Sequence, residues 1–351
     1  MNHASPPPVH ATNADLSPEL QAYYADSRRR FWNVTFILFG NWGSNIALGI
    51  AGTLSVLHMK QHGVGVSTIA MMSAINFWAV SFLVMYFSWR SDHTVSRLGR
   101  RIPYALISLP FLVLTTALFP FFANPYSLVI LFMIKYLFLD LKGSTWSLIM
   151  IDCVPRHLLG RMGSLQLILG GISGYFLSRY AMPLADRNPH AVFLIAAGLL
   201  LVSTLLACIF VKEPPIRNPA TGPFKPWSAL AVGWRDKRIL WLMLGVAMIN
   251  GFYTMYNSWA TLWQVNTDGF GLGLTLTEMG ESMAWIAIMP IAMALPTGYL
   301  IDKLPGIRSV IIYYLLQMGC FFFVAFQVRD LSSLMFATFL LSIVQGLCTA
   351  A

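Results

Sequence analysis

Ten stretches of the chain are apolar over roughly 20 residues, the length a helix needs to cross the hydrocarbon core of a bilayer. They run at about 31–57, 68–88, 104–122, 126–153, 160–181, 190–211, 239–265, 277–299, 308–327 and 332–350, and short polar connectors join most of them. The pattern predicts an all-α, polytopic membrane protein. Its rhythm breaks once, at 212–238, a polar link that carries KEPPIRNP and ends in RDKR. The chain therefore divides into an N-terminal tail (1–30), a six-helix bundle (31–211), a linker (212–238) and an incomplete second bundle of four spans (239–351).

Composition narrows the class further. With 57% hydrophobic and 11% charged residues, there is too little polar surface to cover a water-soluble core. The net charge of +9 then bears on orientation. With the N-terminus placed in the cytoplasm, seventeen of the 23 lysines and arginines fall on that side and three, Lys60, Arg187 and Arg329, on the other. The remaining three, Lys135, Lys142 and Arg179, lie in spans. Such an asymmetry is the positive-inside rule, and it predicts a plasma- or inner-membrane protein with a cytoplasmic N-terminus. Residues 1–30 lack the apolar core and cleavage site of a signal peptide. The four cysteines sit within or beside apolar runs without CxxC spacing and read as buried thiols. No nucleic-acid-binding domain is visible. The seven histidines show no ligand spacing, and no nucleophile–base set or phosphate-binding loop occurs, so neither an enzyme nor a metal or cofactor is expected.

A few polar residues interrupt the spans. Asp140 lies near the middle of the fourth, where a carboxylate costs about 2.5–3.5 kcal/mol on insertion scales. At helical spacing Tyr136, Gly143, Ser144 and Ser147 share its face, a stripe suited to a water-filled cavity. There it is a candidate proton carrier or an acceptor for substrate hydroxyls. Lys135, Lys142 and Trp146 fall on nearly the opposite face, where Lys135 is expected to snorkel outward. A static ion pair of Asp140 with one of these lysines or Arg179 is the competing role. Span 7 carries a second stripe of Asn250, Tyr253, Thr254, Asn257, Thr261 and Gln264, and span 1 a third of Asn41, Ser44 and Asn45 with Trp42 alongside. Amides and hydroxyls suit a neutral polyol, and Trp42, Tyr136 and Tyr253 offer aromatic faces for a sugar. Interhelical hydrogen bonding is the alternative use of such residues. Gly163, Gly170, Gly171 and Gly174 in span 5 are expected to allow close helix packing, Pro290 and Pro296 to kink span 8, and Glu278 and Glu281 to lie at the outer mouth.

The charged connector SWRSDHTVSRLGRRIPY, Ser88 to Tyr104, follows span 2, and a looser copy, GYLIDKLPGIRSV, Gly298 to Val310, follows span 8. Both come after the second span of their half, as in a carrier built from repeats. Here the sequence resembles the major facilitator superfamily, whose loop between helices 2 and 3 reads roughly G-x-x-x-D-(R/K)-x-x-G-(R/K)-(R/K). Asp92, Gly99, Arg100 and Arg101 fit the first copy, with Ser88 in place of its first glycine. Gly298, Asp302, Lys303, Gly306 and Arg308 fit the second. VPRHLLGR, Val154 to Arg161, looks like the connector after helix 4. The longer form SD-x-T-x-S-R-x-GRR-x-PY is similar to that of the glycoside–pentoside–hexuronide:cation and sucrose:proton symporters. YLFLDL, Tyr136 to Leu141, resembles the part of helix 4 where sucrose-type carriers place an aspartate, and FVKEPP, Phe210 to Pro215, resembles their helix 6 exit.

The resemblance implies a cytoplasmic gate of Asp92, Arg97, Gly99, Arg100, Arg101, Asp152, Arg161, Asp302, Lys303 and Arg308, with Asp152 as a partner for Arg100 or Arg101. It implies a sugar or glycoside substrate moved by alternating access, coupled to a cation. Span 2 has no acidic residue, unlike the paired acids of melibiose-type sodium symporters, which favours the proton. The superfamily has twelve helices and this chain shows ten, so a truncated carrier is expected. A non-transporting assembly, delivery or sensor protein with the same fold, and a carrier of an organic anion or nucleobase using Lys142 or Arg179, are the alternatives.

Overall fold

The computed structural model describes residues 18–155, 158–215, 224, 240, 262–265, 271–284, 287–288, 291–292, 306–328, 330, 332–337 and 339–341. Each of the first six predicted spans becomes a helix. A short helix α1 (Pro18–Ala25) precedes α2 (Ser27–Gln61), α3 (Val66–Asp92), α4 (Ile102–Leu118), α5 (Pro125–Cys153), α6 (Leu159–Phe176), α7 (Met182–Arg187) and α8 (Pro189–Phe210). A π-helical turn over Leu177–Ala181 joins α6 to α7, so this span runs six residues past its predicted end at 181. Further on, α9 (Gly306–Gln327) coincides with the ninth span. No strand occurs among the described residues.

Local chemistry sets the starts. Asp26 caps α2 by accepting from the Arg29 N–H at 3.1 Å. Asn124 and Asn188 cap α5 and α8, accepting from the N–H of Tyr126 (2.9 Å) and Ala191 (3.1 Å), and each is followed by a proline whose missing N–H costs nothing at the first helical position. The tail boundary read at residue 30 falls inside α2, because α1 and the first turn of α2 are already folded onto the bundle.

Lipid inverts the usual pattern of a buried face. On α4 the inward positions are Ala105, Ser108, Leu109, Leu112, Thr115 and Thr116, while Ile107, Phe111, Leu114 and Leu118 point outward and are exposed. On α8 Ala196, Ala197, Ser203, Thr204 and Ala207 face inward, and Leu194, Ile195, Val202 and Ile209 outward. Small and hydroxylated residues let helix backbones approach, and the large apolar side chains suit acyl chains, against which helices gain nothing by hiding hydrophobic surface. α2 packs along α8 and α6, α4 along α5 and α8, and α3 along α5. Of the span 5 glycines, Gly171 and Gly174 permit close packing: a Cβ on Gly171 would lie 2.7 Å from the Ala287 carbonyl oxygen, and one on Gly174 3.0 Å from Ala287 Cβ. Gly163 and Gly170 face open space instead. Cys153, Cys208 and Cys320 are free and buried.

Candidate functional site

Two polar constellations interrupt the apolar bundle, one at mid-depth and one at the end where α3 meets α4. The first is organised by α5. Its buried face carries Lys135, Lys142 and Trp146 into the bundle, and its other face presents Asp140, Gly143 and Ser147, all exposed. Among the described residues no hydrogen bond or ion pair reaches the Asp140 carboxylate, so the static pairing with the lysines or Arg179 is not what the fold builds. Arg179 instead binds Glu281 at 2.6 Å.

Lys135 does not snorkel outward. It is 1% exposed, donates to Ser55 Oγ at 2.6 Å, and holds its ammonium 5.0 Å from the Phe119 ring, 5.4 Å from Phe132 and 5.5 Å from Tyr136. Cation–π contacts in a desolvated setting hold it inside. Lys142 is 3% exposed, donates to Ser44 Oγ and lies 5.5 Å from the Trp146 ring. Beside it opens a cavity of about 310 Å³ between α2, α5 and α6, lined by Asn41, Ser44, Asn45, Ser147 and Gln166 together with apolar Leu48, Leu139 and Met150. Asn41, Ser44 and Asn45 of span 1 thus share one space with Gly143 and Ser147 of span 4, whereas Asp140, Tyr136 and Ser144 are not among the residues that line it. Trp42 and Tyr136 are half-buried against the hydrophobic core; the Tyr136 ring packs 4.5 Å from Phe132. Ser144 turns its hydroxyl to the Leu141 carbonyl at 3.0 Å. Asn250, Tyr253, Asn257 and Thr261 lie outside the described residues.

The second constellation is built from three separate segments. Asp152, at the end of α5, accepts from Arg100 Nη2 at 2.6 Å and from Arg101 Nε at 2.5 Å, while Asp92, at the end of α3, lies 3.5 and 3.2 Å from the same two guanidinium groups. Glu213, just past α8, completes it. Its carboxylate accepts from the backbone N–H of Arg100 (2.8 Å), Arg101 (3.0 Å) and Ile102 (2.7 Å). Those are orphan donors of α4, which has no side-chain cap of its own, so a distant acid satisfies the positive helix end. Gly99 makes the approach possible. It has φ of +109°, and a Cβ there would lie 2.6 Å from the Glu213 carboxyl carbon; both the backbone and the space demand glycine. Arg97 is exposed on the same loop, outside the ion-pair cluster.

Helix α1 lies across this end. Tyr24 Oη donates to the Asp152 carbonyl at 2.7 Å, and Tyr23 Oη to the Lys212 carbonyl at 2.6 Å. Asn33 exchanges hydrogen bonds with Lys212 and donates to Tyr23 Oη at 2.8 Å. Burial pushes the Tyr23 hydroxyl well above the usual tyrosine range. Arg161 and Arg308 occupy the first turns of α6 and α9. Asp302 and Lys303 lie outside the described residues.

The connector between the second and third spanning helices holds Asp92, Gly99, Arg100 and Arg101, the residues that carry the superfamily resemblance, and its two arginines lock onto Asp92 and onto Asp152 of α5. The family profile of the Major Facilitator Superfamily matches residues 31–351. The chain belongs to the Major Facilitator Superfamily. It is an integral membrane protein with that family's helical fold. Among solved structures, it is similar to a bacterial homolog of the human lysosomal transporter Spinster, in an inward-facing and unoccupied conformation, with a TM-score of 0.62 and 11% identity over 93% of this chain and 74% of that one. A D-xylose–proton symporter superposes with a TM-score of 0.53 and 14% identity, over 93% and 82% of the two chains. No curated protein sequence matches the chain. At these identities the likeness is one of fold. Within this superfamily fold, Glu213 is the residue that sequence reasoning missed as part of the charged cluster. Its signal was present in FVKEPP, but only folding brings it beside a helix start 111 residues earlier.

Proposed function

We propose that this chain is a secondary active transporter that moves a sugar or glycoside by alternating access, coupled to protons. The observation that carries the reading is Asp140, a mid-span carboxylate exposed on the polar face of α5 with no partner among the described residues. A charge left at that depth is expensive, and a group that exchanges a proton with a passing solvated cargo accounts for its retention. Asn41, Asn45, Ser147 and Gln166, lining the cavity between α2, α5 and α6, supply neutral donors and acceptors of the kind a polyol requires. The resemblance to the D-xylose–proton symporter's fold is consistent with this cargo.

The basic loops orient the molecule with its N-terminus and the Arg100–Arg101 cluster in the cytoplasm, in a plasma or inner membrane. The cluster serves as a cytoplasmic gate element: it ties α3, α4 and α5 into one body that moves as a unit, with Asp302, Lys303 and Arg308 as its counterpart in the second bundle, 239–351. Uptake of radiolabelled sugars into proteoliposomes, with and without an inward proton gradient, tests the reading. Accumulation driven by the gradient and abolished by Asp140→Asn is the expected outcome. Gradient-driven uptake that survives the substitution would remove Asp140 from the coupling step, and no uptake across a sugar panel would defeat the cargo assignment.

A further inference from the structure

Lys142 presents an electrostatic problem that its surroundings do not solve. Its ammonium is buried at mid-depth, has three hydrogens to donate, and gives one of them to Ser44 Oγ. Ser44 passes its own proton on to the Gly40 carbonyl at 2.5 Å, so the hydroxyl is committed as an acceptor toward the lysine. Trp146 contributes its ring at 5.5 Å and is itself anchored by its indole N–H to the Ile37 carbonyl. Among the described residues no carboxylate lies within 4.0 Å of Lys142. The sequence extends the point. Of the chain's 14 acidic residues only Asp140 falls in the middle of a span, and it projects from the exposed side of α5 while Lys142 projects from the buried side.

A buried cation without a counter-ion is a costly arrangement. Here it borders a cavity of about 310 Å³ whose other polar lining groups, Asn41, Asn45, Ser147 and Gln166, are all neutral. That volume lies at the lower end of small-ligand sites. Amides and hydroxyls orient a ligand but cannot neutralise the charge. A ligand carboxylate can, with a charge-assisted hydrogen bond to the ammonium.

We propose that the cavity between α2, α5 and α6 is a carboxylate subsite, in which Lys142 binds the anionic end of an organic acid and the neighbouring amides read its hydroxyl groups. This rests on the reading of the cavity as the cargo site and narrows the cargo from a neutral sugar to a carboxylate-bearing one. The carboxylate has two sources, a sugar acid and a small hydroxy acid, and the experiment separates them.

The test is isothermal titration calorimetry on the full chain in lipid nanodiscs, with D-glucuronate, L-lactate and D-glucose as probes. The expected result is a Kd for glucuronate at least tenfold below that for glucose, with lactate between them. Lys142→Gln is expected to abolish the preference. Lactate binding as tightly as glucuronate would support the carboxylate subsite and remove the polyol from the cargo. Glucose binding as tightly as both acids would overturn the subsite and leave the sugar reading standing; an acid preference that survives Lys142→Gln would overturn Lys142 as the anion site. Binding of none of the three would overturn both. Should Lys142→Gln fail to fold, Lys142→Met takes its place, and glucose binding as tightly as the acids on the native chain still overturns the subsite.

Discussion

Glu213 shows how much one side chain can hold at a junction. It accepts from three consecutive backbone N–H groups at the start of α4, so Glu213→Ala leaves buried donors without partners at a cost of about 1–3 kcal/mol. Thermal unfolding in detergent should register this as a lowered midpoint. Glu213→Gln, which keeps an acceptor oxygen but loses the charge facing the helix dipole, should fall between the two. Gly99→Ala carries a separate penalty, because its φ of +109° and the carboxyl carbon 2.6 Å from the added Cβ oppose any side chain. Its midpoint should drop further than that of Glu213→Gln. A Gly99→Ala protein as stable as the native one would show that the loop reaches Glu213 by another path.

Among the elements, α1 has the least intrinsic claim to form. Eight residues are too few for an isolated helix, and its order comes from Tyr23 and Tyr24 docking on α2, α5 and the segment after α8. Tyr23→Phe removes one donor and the acceptor for Asn33, and should loosen α1 by about 1 kcal/mol. Hydrogen exchange over residues 18–25 should then rise several-fold while α4 and α8 keep their protection. The raised Tyr23 pKa gives the same contact a pH dependence. Stability from a neutral buried phenol is fully present below the ordinary tyrosine value of about 10 and is lost as pH rises above it toward the folded value. The protection of α1 amides, taken relative to their base-catalysed intrinsic exchange, should therefore fall in alkaline buffer while that of α4 and α8 holds. Protection of α1 that stays constant to alkaline pH would mean that Tyr23 is not what holds α1.

For the whole molecule, the α6–α7 span touches a later part of the chain through Thr277, Glu281, Ala287 and Ile291. Arg179 pairs with Glu281 at 2.6 Å, Thr277 donates to Asp186 at 2.8 Å, and Gly171 and Gly174 pack against Ala287 and Ile291. The ion pair is exposed and contributes little to stability, about 0–1 kcal/mol. Its position matters more. If the two parts separate during transport, joining Arg179→Cys and Glu281→Cys with a short reducible cross-linker should stop proteoliposome uptake, and reduction should restore it. Uptake that continues while cross-linked would show that these two segments stay together throughout the cycle.

The sequence by itself determined where the first six spans and the ninth lie, because hydrophobic length is a local quantity that the bilayer fixes. It also placed Asp140 and the lysines on opposite faces of α5, since angular position follows from helical spacing alone. Burial of the lysines was decided only by the tertiary structure. Lys135 stays inside because Phe119 arrives from the turn after α4 and Ser55 from α2, and Lys142 because Ser44 meets it from α2. The same holds for Glu213, which no spacing rule connects to Gly99. Charge and hydropathy are written residue by residue along the chain, whereas desolvation, pairing and capping depend on which distant segments the fold brings to one place.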